Sequence, residues 1–358
     1  MASSDKISRR AFGMLAAGAA GSTIMPAAAH VSTHAAPRAM KQRLLKPPRL
    51  SFGDTIGLIA PGGHTNDAGI ARAVAKIELL GFKVRQGANL RAVHGNYGGS
   101  VQQRCDDLHA MFRDSDIKAI WCIRGGSGCI SLLASLDYAL IRAHPKILIG
   151  YSDITALHLA IYRHAGLVTF HGPVAGSGAS NYSTEQMLTV LMEPRTSYTI
   201  EMAPENAQRA LTEPHYAVRT ATHGQATGRL IGGNLSMVSA LAGTPYAADF
   251  RRAILFLEDV NEAPYRIDRW MTQLDLAVGF RNAAAVMVGI CENCVPNDDE
   301  LSLTLDETLD LHLKPLVVPA VSGYSFGHIR NQFTLPMGIN ARIDTLRQTV
   351  TLLEPAVT

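Results

Sequence analysis

Ser152 stands where the apolar run Lys146-Ile147-Leu148-Ile149-Gly150 gives way, through Tyr151-Ser152-Asp153, to a helical pattern from 155 to 164. A sharp strand-to-helix turn exposes a side chain at the carboxyl edge of a sheet. The helix start leaves backbone N–H groups, that of Asp153 among them, free to hold an oxyanion. The same position suits a plain helix N-cap, and the segment alone leaves both readings open. The neighbouring predicted strand, 119–123, breaks into Arg124-Gly125-Gly126-Ser127-Gly128. That turn lets backbone N–H groups approach a phosphate or complete an oxyanion hole, and it is equally readable as a tight turn. A serine nucleophile needs a base, and the base an orienting carboxylate. His328, in the glycine-bearing loop Ser322-Gly323-Tyr324-Ser325-Phe326-Gly327-His328, is one of thirteen histidines, so its place in a loop after a strand is the only signal it carries. Glu258 ends the apolar run Ala253-Ile254-Leu255-Phe256-Leu257, where a carboxylate is costly unless used or paired. Arg266 and Arg269 stand close enough in sequence to be its ordinary ion-pair partners.

The elements that must position these residues alternate. Strands are expected at 55–60, 82–84, 119–123 and 146–150, and helices at 68–80, 104–114, 130–136 and 155–164. Such alternation makes a parallel sheet wrapped on both faces. Between 176 and 224 the pattern weakens, which reads as a crossing into a second domain. There, 228–234 reads as a turn, 235–242 and 301–313 as helices, 253–257, 284–290 and 315–321 as strands, and 339–353 as closing strands. The expected fold is α/β. An N-terminal parallel-sheet domain of Rossmann or flavodoxin-like type (49–177) carries the serine turn. A linker (178–225) leads to a smaller, strand-rich C-terminal α/β domain (226–358) carrying Glu258 and His328.

The 358 residues suit two domains, and 47% hydrophobic with 18% charged residues describes a globular chain. A formal charge of +3 gives no basic field for nucleic acid. Residues 1–29 open with Arg9-Arg10, continue through an Ala- and Gly-rich stretch and close on Pro26-Ala27-Ala28-Ala29. This describes a secretory signal of twin-arginine type, which leads to the expectation of a periplasmic protein with no stable membrane insertion after cleavage. A Pro-containing linker follows at 30–48. Cysteines at 105, 122, 129, 291 and 294 form no disulfide scaffold. Cys291-Glu292-Asn293-Cys294 has no second pair to complete a zinc site, so no metal and no cofactor are expected.

The blocks Gly150-Tyr151-Ser152-Asp153, Leu257-Glu258-Asp259 with its continuation to Arg269, and Gly327-His328 resemble the LD-carboxypeptidase family of serine peptidases. The likeness extends through Arg124-Gly125-Gly126-Ser127-Gly128, Gly232-Gly233-Asn234-Leu235 and Pro336-Met337-Gly338, in the family's order. The resemblance implies Ser152 as nucleophile, His328 as base, Glu258 as its orienting group, and the Asp153 and Gly126 N–H groups as oxyanion donors. It implies hydrolysis of the amide between the L-centre of a diamino acid and a terminal D-alanine, with murein tetrapeptides as substrate, by a homodimer. A free carboxylate suits bidentate pairing with arginine, for which Arg124, Arg266 and Arg269 are candidates. One alternative within the family is the immunity-type branch, which cleaves peptidyl- or aminoacyl-nucleotide antibiotics. An alternative of another class is a non-catalytic binder of cell-wall peptides, against which the three filled positions argue. The G-x-S-x-G pattern of α/β-hydrolases is missing, since Ile154 stands two residues after Ser152.

Overall fold

The structure, a computed structural model, describes residues 43–178, 180–297 and 301–358. The signal segment expected at 1–29, and the linker up to residue 42, lie outside them. Five short strands carry the first sheet: β1 (Thr55–Ile59), β2 (Lys83–Gln86), β3 (Ile117–Cys122), β4 (Ile147–Gly150) and β5 (Phe170–His171). They run parallel in the order β2-β1-β3-β4-β5, the flavodoxin-like order. The second sheet takes β6 (Tyr198–Ile200), β7 (Arg219–Thr222), β8 (Gln225–Asn234), β9 (Ala253–Glu258), β10 (Ala285–Gly289) and β11 (Ala320–Tyr324). Of the last three strands, β12 (Leu335–Pro336) pairs antiparallel with β5 and so returns to the first sheet. β13 (Asn340–Asp344) and β14 (Thr349–Leu352) complete the second, in the order β6-β14-β13-β8-β9-β10-β11-β7. Among the described residues the second sheet has eight strands and the first six, in keeping with a strand-rich second half.

Helices α1 (Asp67–Leu79), α2 (Val101–Arg113), α3 (Tyr138–Ala143) and α4 (Thr155–Ala165) belong to the first half. The spacing that predicts α1 is the one it buries: Ile70, Ala73 and Ile77 face the core, Asn66 caps its start, and Gly81 follows its end at φ +87°. The expected helix at 130–136 is a 3₁₀ segment, Cys129–Ser135. α4 is buried from Thr155 to Ile161 because it packs on α3, on the 3₁₀ segment Cys129–Ser135, on β5, and on β8 and α7 (Leu235–Leu241). Each large apolar side chain so enclosed stabilises the fold by ~1.5–3 kcal/mol relative to exposure. The helix that leaves the serine turn thus touches strands of both sheets, within one compact unit.

The stretch 178–225, read as a linker, is structured. It holds α5 (Asn181–Met192), β6, α6 (Pro204–Arg209) and β7. β6 and β7 are short edge strands, and the buried face of α5 is partly polar, through Ser183 and Gln186, so the apolar pattern there is weak. Residues 228–234, read as a turn, are the second half of the ten-residue β8. The strand expected at 315–321 lies later, at Ala320–Tyr324, with Val317 fully exposed before it. α8 (Pro264–Val278) was not anticipated as a helix. α9 (Leu305–Leu313) starts later than expected, where Thr304 and Glu307 form a capping box. Among the described residues no helix is long and apolar enough to cross a membrane.

Candidate active site

β4 is buried along its length and delivers Tyr151 and Ser152 to the carboxyl edge of the first sheet. Ser152 has φ +65°. A non-glycine residue pays ~1–3 kcal/mol in that left-handed region, so the surroundings must enforce it. From Ser152 a 3₁₀ turn, Ser152–Ile154, runs directly into α4. The serine hydroxyl caps neither the turn nor the helix, which removes the plain N-cap reading.

The glycine-rich loop after β3 lies against this turn. A Cβ on Gly125 would sit 2.7 Å from Ser152 Cβ and 3.0 Å from its Oγ, so only glycine lets the backbone pass. Gly126 holds φ +106° beside the Gly63 backbone, and Gly63 N–H donates to Gly125 O at 2.8 Å. The loops after β1 and β3 are therefore zipped together at the point where the strand order reverses, the usual ligand position in such sheets. Arg104, buried in α2, donates to Pro61 O at 2.9 Å and Gly128 O at 3.0 Å and staples both loops. The Asp153 carboxylate, also buried, accepts the Cys129 N–H at 2.8 Å. Burial pushes that carboxyl above its ordinary value, against the hydrogen bonds from Cys129 and the Arg104 charge. Among the described residues the Gly126 N–H makes no backbone hydrogen bond, and Asp153 sits in the first 3₁₀ turn that leads into α4.

The other half of the site comes from the second sheet. β9 carries Glu258, fully buried, to its carboxyl end. Gly327, at φ +114°, brings the loop after β11 so close that a Cβ there would be 3.1 Å from Glu258 Oε2. His328 Nδ1–H then donates to that oxygen at 2.7 Å. Burial pushes Glu258 up, but His328's charge and hydrogen bond, with His171 and Asn234, outweigh it and hold the carboxyl below its ordinary value. Burial likewise pulls His328 down, and Glu258's charge and hydrogen bond, with Asp259, more than reverse it. The imidazole is thus a stronger base than an ordinary histidine, fixed with Nδ1 bearing the proton and Nε2 as the free basic nitrogen.

Two connections join the halves. The Tyr151 ring stands edge-on to the His328 ring, with centroids 4.6 Å apart, which sets the imidazole beside Ser152's own neighbour. Below it, Asn234 N–H donates to Thr155 Oγ1 at 3.0 Å, and Asn234 Nδ2 to Asp259 Oδ1 at 3.0 Å. Asp259 also accepts the Ser236 and Val260 N–H groups, and burial together with the Glu258 charge raises it to about 6. Tyr151, the residue before Ser152, thus lies against His328, which is bound to Glu258.

Of the arginines, Arg124 is exposed beside the glycine-rich loop and donates to His64 O at 3.1 Å. Arg266 and Arg269 lie on the exposed side of α8. Arg266 pairs with Glu262 at 3.4 Å and both guanidinium groups flank Tyr265, so neither is the partner of Glu258. No cluster of metal-ligating side chains occurs among the described residues. Sequence reasoning missed Arg104, Asn234, Asp259 and the buried His171 as parts of the site. Asn234 and Asp259 stood in quoted blocks, each a polar residue at the end of an apolar strand, and that was their only signal.

The chain matches the LD-carboxypeptidase N-terminal domain over residues 56–172 and the C-terminal domain over 227–343. A Bacillus subtilis protein named "probable murein peptide carboxypeptidase" is 38% identical, over 86% of this chain and 94% of its own length. The murein tetrapeptide carboxypeptidase of Pseudomonas aeruginosa is 31% identical over 81% of this chain and 92% of its own. Among solved structures, an MccF-like protein of Bacillus anthracis superposes with a TM-score of 0.76 at 28% identity, covering 87% of this chain and 99% of that one. Domains matched in order, two-sheet architecture and near-full-length relatives agree: the chain belongs to the LD-carboxypeptidase family and is a hydrolase of peptidase type.

Proposed function

We propose that this chain releases terminal D-alanine from murein tetrapeptides by hydrolysing the amide that joins it to the L-centre of a diamino acid, with Ser152 as nucleophile. The Glu258–His328 pair carries the reading, because a 2.7 Å bond to a buried carboxylate leaves the far imidazole nitrogen basic beside the serine turn. His328 takes the Ser152 proton as the hydroxyl attacks the carbonyl carbon. The oxyanion forms against the Asp153 and Gly126 N–H groups, a contribution that is generally among the largest in acyl transfer. As the tetrahedral intermediate collapses, His328 returns the proton to the departing D-alanine amine. A water activated by the same imidazole then cleaves the acyl-enzyme. Glu258 holds the imidazole tautomer and balances its charged form. Of the candidates Arg124, Arg266 and Arg269, Arg124 is our choice to pair with the substrate's free carboxylate, because it opens the glycine-rich loop that contacts Ser152.

The relatives' names support the substrate: the two curated relatives above are named as murein peptide and murein tetrapeptide carboxypeptidases. The Arg9-Arg10 pair and the Ala-rich stretch to Ala29 support export to the periplasm, where wall peptides are the available substrate. The homodimer rests on family resemblance. Incubation of the protein with murein tetrapeptide, with D-alanine measured over time, tests the central step. Wild type releases it, and Ser152→Ala lowers the rate by a factor of ~10⁴ or more. Release by the alanine variant at the wild-type rate would refute Ser152 as nucleophile. Peptide binding without release by either protein would instead support the binder.

A further inference from the structure

Glu258 uses only one of its two oxygens on His328. Oε1 is fully buried and has no hydrogen-bond partner among the described residues. Facing it at 3.9 Å is Nε2 of His171, itself fully buried, and neither nitrogen of that ring has a hydrogen-bond partner. His171 ends β5, opposite Gly150 of the serine-bearing strand, and backs onto Leu335 of β12. Phe256, Tyr151 and Phe326 enclose the ring edge-on, with centroids 5.4, 6.2 and 6.5 Å away. A polar ring sealed among aromatics without a partner is a costly arrangement, and so is a bare carboxylate oxygen. The two orphans point at each other, and a displacement of ~1 Å brings them to hydrogen-bond length.

We propose that His171 is a positioning residue for Glu258, its Nε2–H directed at Oε1, so that the carboxylate lies between two imidazoles. This rests on the reading of Ser152, His328 and Glu258 as the reacting set. The charged or titratable groups that face His171 are Glu258 from β9, His328 from the loop after β11, His158 from α4 and Tyr151 before the serine turn. His158 is engaged at Gly150 O at 2.9 Å. Burial lowers His158 to about 3 and His171 to about 4, so both are neutral through the working range. Among these groups only Glu258 Oε1 is a bare anionic acceptor, which selects the Nε2–H tautomer.

The consequence has a definite sign. When His328 gives up its Nε2 proton, Glu258 keeps the Nδ1–H bond and the Asn234 contact but loses the imidazolium charge that balances it. A donor at Oε1 stabilises that state more than it stabilises the ion pair, so His171 lowers the proton affinity of the His328–Glu258 pair. The base therefore stays available at lower pH than it otherwise would.

The test is the pH dependence of kcat/KM for D-alanine release by wild type, His171→Phe and His171→Gln, beside ¹⁵N NMR of the wild-type histidines. The phenylalanine variant fills the space without a donor. Its acid limb moves up by about one unit, so kcat/KM falls ~10-fold on the acid side of both limbs and by less above them. Glutamine places an amide N–H at the Nε2 position and returns the limb to its wild-type value. The NMR spectrum shows His171 neutral, Nε2–H and untitrated from about pH 5 to 8. An acid limb unmoved in the folded phenylalanine variant, a glutamine variant that fails to restore it, or an Nδ1–H tautomer overturns the proposal. If wild type releases no D-alanine, the peptidase reading fails, while the tautomer still decides the contact between His171 and Glu258.

Discussion

The two halves of the site are built from different materials. On the first sheet, the serine turn is a backbone construction: a left-handed Ser152, a 3₁₀ turn that runs straight into α4, and a glycine loop passing within contact of the serine. On the second sheet, the work is electrostatic: a fully buried carboxylate with imidazoles on either side, and Asp259 braced behind it. The first half fixes where atoms go, and its tolerance is steric. The second fixes where a proton goes, and its tolerance is one of charge.

Breaking the electrostatic half has the larger expected effect. Glu258→Gln keeps the shape of the side chain but removes the charge and frees the imidazole to adopt the wrong tautomer. Turnover of the tetrapeptide falls by ~10³–10⁴, with KM little changed. A variant within tenfold of wild type in steady-state kinetics would show that the carboxylate does not orient the base. Breaking the backbone half has a smaller effect. Gly125→Ala drives a methyl group to 2.7 Å from Ser152 Cβ, so the loop must retreat and take the Gly126 N–H with it. The expected loss in kcat is ~10²–10³, the cost of one misplaced oxyanion donor. A Gly125→Ala protein with unchanged kcat would remove the loop from the oxyanion site.

The same division explains what could be read from the sequence. The elements of the backbone half were legible because their determinants are local: the apolar β3 and β4, the glycines after β3, and the strand-to-helix transition at Ser152, although the segment alone left Ser152 open between nucleophile and N-cap. Helix α1 was equally legible from the spacing of Ile70, Ala73 and Ile77. The electrostatic half depends on residues brought together over long distances, and it was legible only as the blocks that resemble the family. His171 follows Phe170 in a two-residue strand and is indistinguishable in sequence from any other core histidine. Asn234 was hidden because Gly232 and Gly233 make the end of β8 read as a turn. Those glycines are required by close packing, on the Phe256 backbone and on Thr155 respectively. The segment 178–225 was hard to read because β6 and β7 are only three and four residues long and α5 turns polar Ser183 and Gln186 toward the core, which blurs its apolar spacing.

The claim on which the account depends is that Ser152 is activated by His328. Covalent labelling with a fluorophosphonate, mapped by peptide mass spectrometry, tests it without reference to any substrate. The label is expected on the peptide containing Ser152, at a rate lowered ~10²-fold or more in His328→Ala and abolished in Ser152→Ala. Label on another residue, or a rate unchanged by loss of the imidazole, would contradict the account.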